Sequence, residues 1–394
     1  MRIAVGLSGG VDSAIGGLIL RDQGHEVVGV HLYCWPPKSE YLVSSSKYSG
    51  DEEREVLRRA WIKKNGCRAD EDEQMALKTA LELGIKFVKL DFSEEYNRRV
   101  VDYFYAEYEV GRTPNPDVLC NSEIKFGLFL DWALKNNFDY IATGHYAKTK
   151  CHGDTVTLMI PKDKHKDQTY FLWKLTEKEL KHVLFPLGDY LKSEVREIAL
   201  KNNLTVAKRK DSQGICFIGN VEAREFLSRR LRKKTGIVRN KRGEIIGEHD
   251  GVWFYTIGQR GGWGMAPEAH KKLVTKYQGN KVTPIFYVIS KDAKKNELVV
   301  GVGKEAESNQ FSIFNFQFSN NFQNSNIKNV LVRIRHGGEL IPAEVGVQGT
   351  EIRVILEKDV RGIAPGQSAV FYREQCSENR DQREIVMLGG GVIA

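Results

Sequence analysis

The apolar run from Ile3 to Leu7 breaks at Ser8-Gly9-Gly10, and hydrophobic positions then return at helical spacing from Ala14 to Gln23. This pattern predicts a strand, a tight turn and a helix closed by Gly24. Glu26 to Tyr33 is a nearly unbroken apolar run, as expected of a strand inside a parallel sheet. Helical periodicity over Asp70–Leu83, Glu94 to about Val110 and Leu119–Asn136 then alternates with strand-like runs at Lys86–Leu90 and Tyr140–Thr143. Such a rhythm predicts an α/β doubly wound parallel sheet, with ligands at the carboxyl ends of its strands. Gly6 to Ser13, Leu32, Asn115 to Cys120 and Gly144-His145 follow strand or helix ends in this reading and are expected to converge on one crevice.

Elsewhere the pattern changes. Pro36 to Cys67 has weak periodicity and reads as a long excursion, helical in part from Glu53 to Lys63. Lys162 to Asn203 reads as helical and polar, and Asp211 to Gly219 as a glycine-bearing loop. Beyond about Glu222, glycines separate short apolar runs, which predicts a small β-rich central module. From about Thr283 the period becomes two, at Ile285–Ser290, Glu297–Val302, Val330–Arg335, Ala343–Val347, Glu351–Leu356 and Ala369–Tyr372, and predicts a C-terminal β-barrel. The expected domains are 1–221, 222–282 and 283–394, in keeping with a length of 394 residues.

Two adjacent glycines between a strand and a helix let several backbone N–H groups point at one anion, and the helix adds its own unpaired N–H groups. Ser8 and Ser13 supply hydroxyls, so phosphate is the natural occupant. The spacing matches neither G-x-x-x-x-G-K-[ST] nor G-x-G-x-x-G. Asp12 is placed to act near Mg²⁺, which prefers carboxylate, phosphate and water oxygens. No apolar run approaches the ~20 residues of a membrane span, and Met1 to Val5 runs straight into the first strand, so a cytoplasmic protein without a membrane partner is expected. In a reducing cytosol the six cysteines are expected to be catalytic or buried rather than structural disulfides, and without C-x-x-C no metal site is expected. The net charge of +8, with clusters at Lys208–Lys210 and Arg229–Lys234, suits a polyanionic partner.

The opening run resembles the S-G-G-x-D-S signature of the ATP pyrophosphatases, which split ATP into AMP and pyrophosphate. The blocks Asn115–Asn121, Ile124–Phe126, Thr143–Tyr146, Lys166–Leu172, Asp211–Gly219, Tyr255–Arg260 and Ala364–Val370 together resemble the tRNA-specific 2-thiouridylase family, in that family's order and over nearly the whole chain. The resemblance implies ATP and transient Mg²⁺ as cofactors, with Gly6, Leu7, Ser8, Gly9, Gly10, Val11, Asp12, Ser13, Leu32 and Gly144 at ATP. It implies Cys120 as the nucleophile, Cys216 as carrier of the incoming sulfur as a persulfide, and Asp117 as the acid/base residue. It also implies tRNA contacts at Asn115, Pro116, Asp117, His145, Lys166, Asp167, Gln168, Arg335, His336 and Gln367. The partners so implied are tRNA and a sulfur-relay protein or cysteine desulfurase. Tyr33 to Cys67 is longer than the family's usual connection. The chemistry agrees, because a pyrimidine carbonyl oxygen leaves readily only after adenylation, and a persulfide sulfur is a reasonable donor in a reducing cytosol.

Two other readings compete. A different ATP pyrophosphatase, ligating an amine or ammonia to an adenylated acid, would need neither cysteines nor a basic RNA surface. A non-catalytic RNA-binding protein would tolerate loss of Asp12 or a loop glycine, and both are intact.

Overall fold

The computed structural model describes residues 1–42, 51–65, 67–211, 223–268, 285–318, 327–348, 351–376 and 383–394. It falls into two compact units, one of residues 1–102, 116–222 and 372–389, the other of 103–115, 223–371 and 390–394.

The first unit is built on a five-stranded sheet in the order Lys86–Asp91, Glu26–Tyr33, Arg2–Gly6, Tyr140–Ala142, Val183–Leu184. Every pairing is parallel, with Ile3 opposite Val27 on one side and Tyr140 on the other. Strand order reverses at the central strand, so the loops after Gly6 and Ala142 face each other across the switch point where open α/β sheets bind ligands. Ile3, Ala4 and Val5 are fully buried. The helix Val11–Asp22 lays Ala14, Ile15 and Leu18 into a cluster with Val195, Ala199 and Val206.

The excursion after the second strand contains the helix Asp51–Asn65, longer than the expected Glu53–Lys63. Arg58 anchors it, reaching Glu55 at 2.7 Å, Asp70 at 2.6 Å and the Tyr33 hydroxyl at 3.2 Å. Its Trp61 meets Trp35 edge-on, with ring centroids 6.0 Å apart.

Lys162 to Asn203, expected to be helical, is mostly turns, with one full-length helix at Lys192–Lys201. Short acidic side chains compete with the helix for backbone donors here: Asp163 Oδ1 accepts from the His165 N–H at 3.1 Å and Asp167 Oδ1 from the Thr169 N–H at 2.9 Å.

In the second unit, Gly264–Met265, Ile245–His249, Gly236–Asn240, Glu297–Val302 and Phe286–Asp292 form one five-stranded sheet in that order. The last two cover the runs expected to begin the barrel. They pair here instead because Val288, Leu298 and Val300 alternate inward with Val238, all fully buried.

The barrel has six strands, in the order Glu307–Phe318, Glu351–Arg361, Ile341–Gln348, Ile327–Arg333, Ser368–Cys376, Arg383–Ile393, and closes by pairing of the first with the last. The two closing strands lie outside the runs expected from the sequence: the first is polar over Glu307–Gln310 and its apolar alternation changes phase between Ile313 and Phe314, and the last carries Gly389-Gly390-Gly391. A Cβ at Gly391 would lie 2.7 Å from Ile313 Cδ1, so glycine permits the close approach there. Parts of the last two strands also belong to the first unit, where Val386 pairs with Met159 and the Tyr372 hydroxyl lies 3.1 Å from Thr169 Oγ1.

Truncating a fully buried residue of the central strand leaves a cavity between helices that cannot collapse. Ile3→Ala is expected to cost about 2–5 kcal/mol of unfolding free energy. Leu81→Ala, on an exposed helix face, is expected to stay within about 0.5 kcal/mol. Urea denaturation followed by circular dichroism checks both, and equal effects at the two positions would contradict the assignment of the core.

Candidate functional site

The loop between the first strand and helix is held open by its own serines. The Ser8 N–H donates to Ser13 Oγ at 3.1 Å, and Ser13 Oγ donates to the Gly10 carbonyl at 3.1 Å. Gly9 has φ +76°, and a Cβ there would sit 2.5 Å from the Asp72 carbonyl oxygen, so glycine is required on both counts. Gly10 stands at the head of the helix without a side-chain cap. The helix N-terminus therefore presents N–H groups and the positive end of its dipole to whatever occupies the loop.

Across the switch point, Gly144 packs directly on the start of this helix. A Cβ there would lie 2.6 Å from Ser13 N and 2.8 Å from the Asp12 carbonyl carbon. Leu32 is buried near the end of the second strand, whose neighbour His31 meets the Leu7 carbonyl through Nδ1 at 2.9 Å. These features fit a triphosphate: an uncapped helix, glycines where side chains would block approach, and a second strand end against the first. The half-exposed Asp12 carboxylate is of the donor type that Mg²⁺ takes. Its oxygens face the Tyr146 hydroxyl at 2.9 Å and the Lys192 ammonium at 2.7 Å.

Arg209 donates to the Gly9 carbonyl and to Asp72. Asp211 gathers Lys166 at 2.8 Å, Arg196 at 2.7 Å and Lys192 at 2.9 Å. Burial works to raise the Asp211 pKa, but its ion pairs with Lys166 and Lys192 outweigh it and hold the carboxyl at about 2. The chain that runs on to Cys216 is thus tied to the loop at both Arg209 and Asp211. Cys216 itself lies outside the described residues.

The other thiol opens a wide helical stretch. Pro116–Leu119 starts a helix, the turns from Cys120 to Leu128 are π-helical, and Phe129–Lys135 is α-helical again. Such turns are frequent at functional sites. Cys120 is fully buried, and next to it Asn121 donates to the Phe171 carbonyl at 3.2 Å while its buried Oδ1 finds no hydrogen-bond partner among the described residues. Asp117 lies in the first turn.

His145 is buried beneath this helix. Its Nε2 lies 3.4 Å from Lys125 Nζ and its Nδ1 2.8 Å from Thr143 Oγ1. Burial, reinforced by the Lys125 charge, pushes its pKa well below the usual histidine range. The side chain is therefore neutral and sheltered. Asp167 is likewise turned inward, accepting from Thr169 Oγ1 at 2.7 Å. Gln168 accepts from the Tyr146 N–H at 2.9 Å and donates its own N–H to the Tyr146 carbonyl at 3.0 Å, tying the Lys166–Gln168 turn to the Gly144 loop.

In the second unit, Arg335 and His336 are exposed on the turn after Ile327–Arg333. Gln367 donates to the Thr113 and Pro114 carbonyls at 2.9 and 3.1 Å, steadying the backbone just before Asn115. The first unit thus brings together Gly6–Ser13, Gly144, Lys166–Gln168 and Asp211, while Asn115, Arg335, His336 and Gln367 belong to the second. The sequence alone gives no role to Lys192, Tyr146 or Arg196, and marks Arg209 only as part of the basic cluster Lys208–Lys210. Tyr146 and Arg209 stood in motifs already noticed, whereas nothing marks Lys192 or Arg196 within an ordinary polar helix.

Fold and loop define a nucleotide-binding α/β domain of the ATP-pyrophosphatase kind joined to two β modules. Residues 1–220 match a family described as tRNA methyl transferase HUP domain, 224–302 a tRNA methyl transferase PRC-barrel domain and 308–393 an aminomethyltransferase beta-barrel domain. The chain is 38% identical over 397 residues to the tRNA-specific 2-thiouridylase MnmA of Streptococcus mutans, covering 100% of this chain and 95% of the relative. Its identity to the enzyme of the same name from Lactobacillus helveticus is 38% over 400 residues, with the same coverage. The chain belongs to the tRNA-specific 2-thiouridylase family, a family of tRNA-uridine sulfurtransferases. Among solved structures, a 4-thiouridine synthetase–RNA complex with bound ATP aligns with 56% of this chain and 45% of its own, at 15% identity and a TM-score of 0.30.

The buried, neutral His145 gives the fold a pH signature. The unfolded chain takes up a proton near the ordinary histidine pKa of 6.5 and the folded site does not, so this contribution is fully present above that pH and is lost as pH falls below it. His145→Asn is expected to flatten the loss of stability between about pH 6.5 and 5. Denaturation of both proteins across that range checks it, and parallel curves would count against a neutral buried imidazole.

Proposed function

We propose that this protein carries out ATP-dependent 2-thiolation of the wobble uridine of tRNA in the cytoplasm. The observation that carries this reading is the pairing of an ATP-pyrophosphatase loop at a sheet switch point with a buried cysteine on a π-helical turn, in a chain alignable end to end with named 2-thiouridylases. In this reading Gly6–Ser13, with Leu32 and Gly144, hold ATP, and Asp12 holds Mg²⁺ that enters with it. Uridine O2 attacks the α-phosphorus, pyrophosphate leaves, and the adenylated oxygen becomes a leaving group. Sulfur from a persulfide on Cys216, loaded by a sulfur-relay protein or desulfurase, then adds at C2, and O2 departs with AMP. Cys120 attacks the sulfur-bearing Cys216 Sγ and releases the outer sulfur, leaving a Cys120–Cys216 disulfide for reduction. Asp117 moves the proton between these groups.

The basic run Arg229–Lys234 and the exposed Arg335 and His336 supply a surface for RNA phosphates. The target base must be unstacked to reach the cysteine, at a cost of a few kcal/mol. Methyl transfer, which two of the matched family descriptions name, gives no role to a pyrophosphatase loop or to a pair of cysteines.

Single-turnover sulfur transfer separates the steps. Cys120→Ser is expected to keep a labelled persulfide on Cys216 yet leave tRNA unthiolated, whereas Cys216→Ser never takes up label. Normal thiolation by Cys120→Ser would overturn the two-cysteine mechanism. Asp12→Ala is expected to lose tRNA-dependent AMP formation by at least about 100-fold while retaining tRNA affinity. Unchanged AMP formation there would remove Asp12 from the nucleotide site.

A further inference from the structure

Lys192 opens the helix Lys192–Lys201, where its N–H donates to Asp163 Oδ2 at 2.9 Å. Its stem is sheltered, with the side chain only 13% exposed. The ammonium lies 2.7 Å from each oxygen of Asp12 and 2.9 Å from Asp211 Oδ1. Asp211 has further cationic partners in Lys166 and Arg196. The groups that face Asp12 are Lys192 and the Tyr146 hydroxyl.

We propose that Lys192 is a resident stand-in for the divalent cation, holding both Asp12 oxygens in the nucleotide-free enzyme so that metal is taken up only together with the triphosphate. The inference rests on the reading of this loop as the Mg²⁺–ATP site. A compact ammonium seated on both carboxylate oxygens uses the same lone pairs a divalent cation needs. A divalent cation on those same two oxygens competes with the ammonium for their lone pairs and is repelled by it at a few ångströms. Free metal alone must therefore displace the ammonium, whereas metal arriving on a polyanion brings negative charge that compensates the displaced lysine. Asp211 remains beside Lys192 when Asp12 is given up, so the sheltered ammonium is never left without a carboxylate. Lys192 is in this sense a positioning residue, which keeps Asp12 aimed and charged-paired until nucleotide arrives.

The experiment is titration of the full-length, nucleotide-free protein with Mn²⁺ alone, free Mn²⁺ being read by electron paramagnetic resonance. Lys192→Met is expected to bind Mn²⁺ at least about tenfold more tightly than the wild type, because the competing cation is gone. Lys192→Arg keeps the charge and is expected to stay near wild type. The double variant Asp12→Asn/Lys192→Met is expected to lose the gain, which locates it at Asp12. Equal or weaker binding by Lys192→Met, or a gain that survives Asp12→Asn, overturns the proposal. Lys192→Gln, with the same expected gain, serves if circular dichroism shows the Met variant unfolded. Mg²⁺-dependent binding of ATP to the wild type is measured alongside. Its absence would overturn the loop reading and the inference with it, while its presence without a gain in Lys192→Met overturns the inference alone.

Discussion

The close approach of two strand ends at the centre of the sheet is the constraint on which the site depends. Gly144 rests on the backbone of Asp12 and Ser13 with no space for a side chain between them. That contact lets the loop after the fourth strand seal one side of the phosphate loop, and it fixes where Tyr146 reaches Asp12. Tyr146 in turn is bound on both backbone groups by Gln168, so the turn that carries Lys166 inherits its position from the same meeting point. A side chain at Gly144 would separate the strand ends and disturb each of these in sequence.

Charge provides the second layer. Arg209 takes the carbonyl of Gly9 and the carboxylate of Asp72, and Lys192, Arg196 and Lys166 converge on Asp211. These are partly exposed pairs, each worth little as an isolated bridge. Their value lies in connection, since they join the nucleotide loop, the Lys166 turn and the chain leading to Cys216 into one network. Where such pairs share partners, loss of one member shifts the others, and single-site effects will not sum.

Much of this was written in local pattern. The glycine-interrupted strand–helix transition, the parallel order of the α/β half and the alternating strands of the barrel follow from periodicity and turn residues, because those depend on neighbours within a few positions. What stayed hidden depends on partners far along the chain. Lys162 to Asn203 has a helical look that Asp163 and Asp167 undo by taking nearby N–H groups. The strands at Phe286–Asp292 and Glu297–Val302 have barrel-like alternation but join the central sheet, Glu297–Val302 pairing with Gly236–Asn240 and Phe286–Asp292 with Glu297–Val302, a choice no local signal encodes. The closing strands Glu307–Phe318 and Arg383–Ile393 pair at long range, with glycines where close approach demanded them. At the site, Cys120 and Asp12 were legible as motif residues, whereas Lys192 became visible only once the fold brought position 192 beside position 12.

The sharing of the last barrel strands has a consequence for synthesis. Tyr372–Gly389 completes the unit that carries the phosphate loop, with Tyr372 on Thr169 and Val386 on Met159. A ribosome making this chain from its amino end therefore cannot release a finished nucleotide-binding unit early, as it does for domains that are continuous in sequence. The N-terminal half must wait, with the side of Thr155–Met159 away from Lys148–His152 unpaired, until Arg383–Ile393 has emerged. Nucleotide chemistry and the β module are in this way born together.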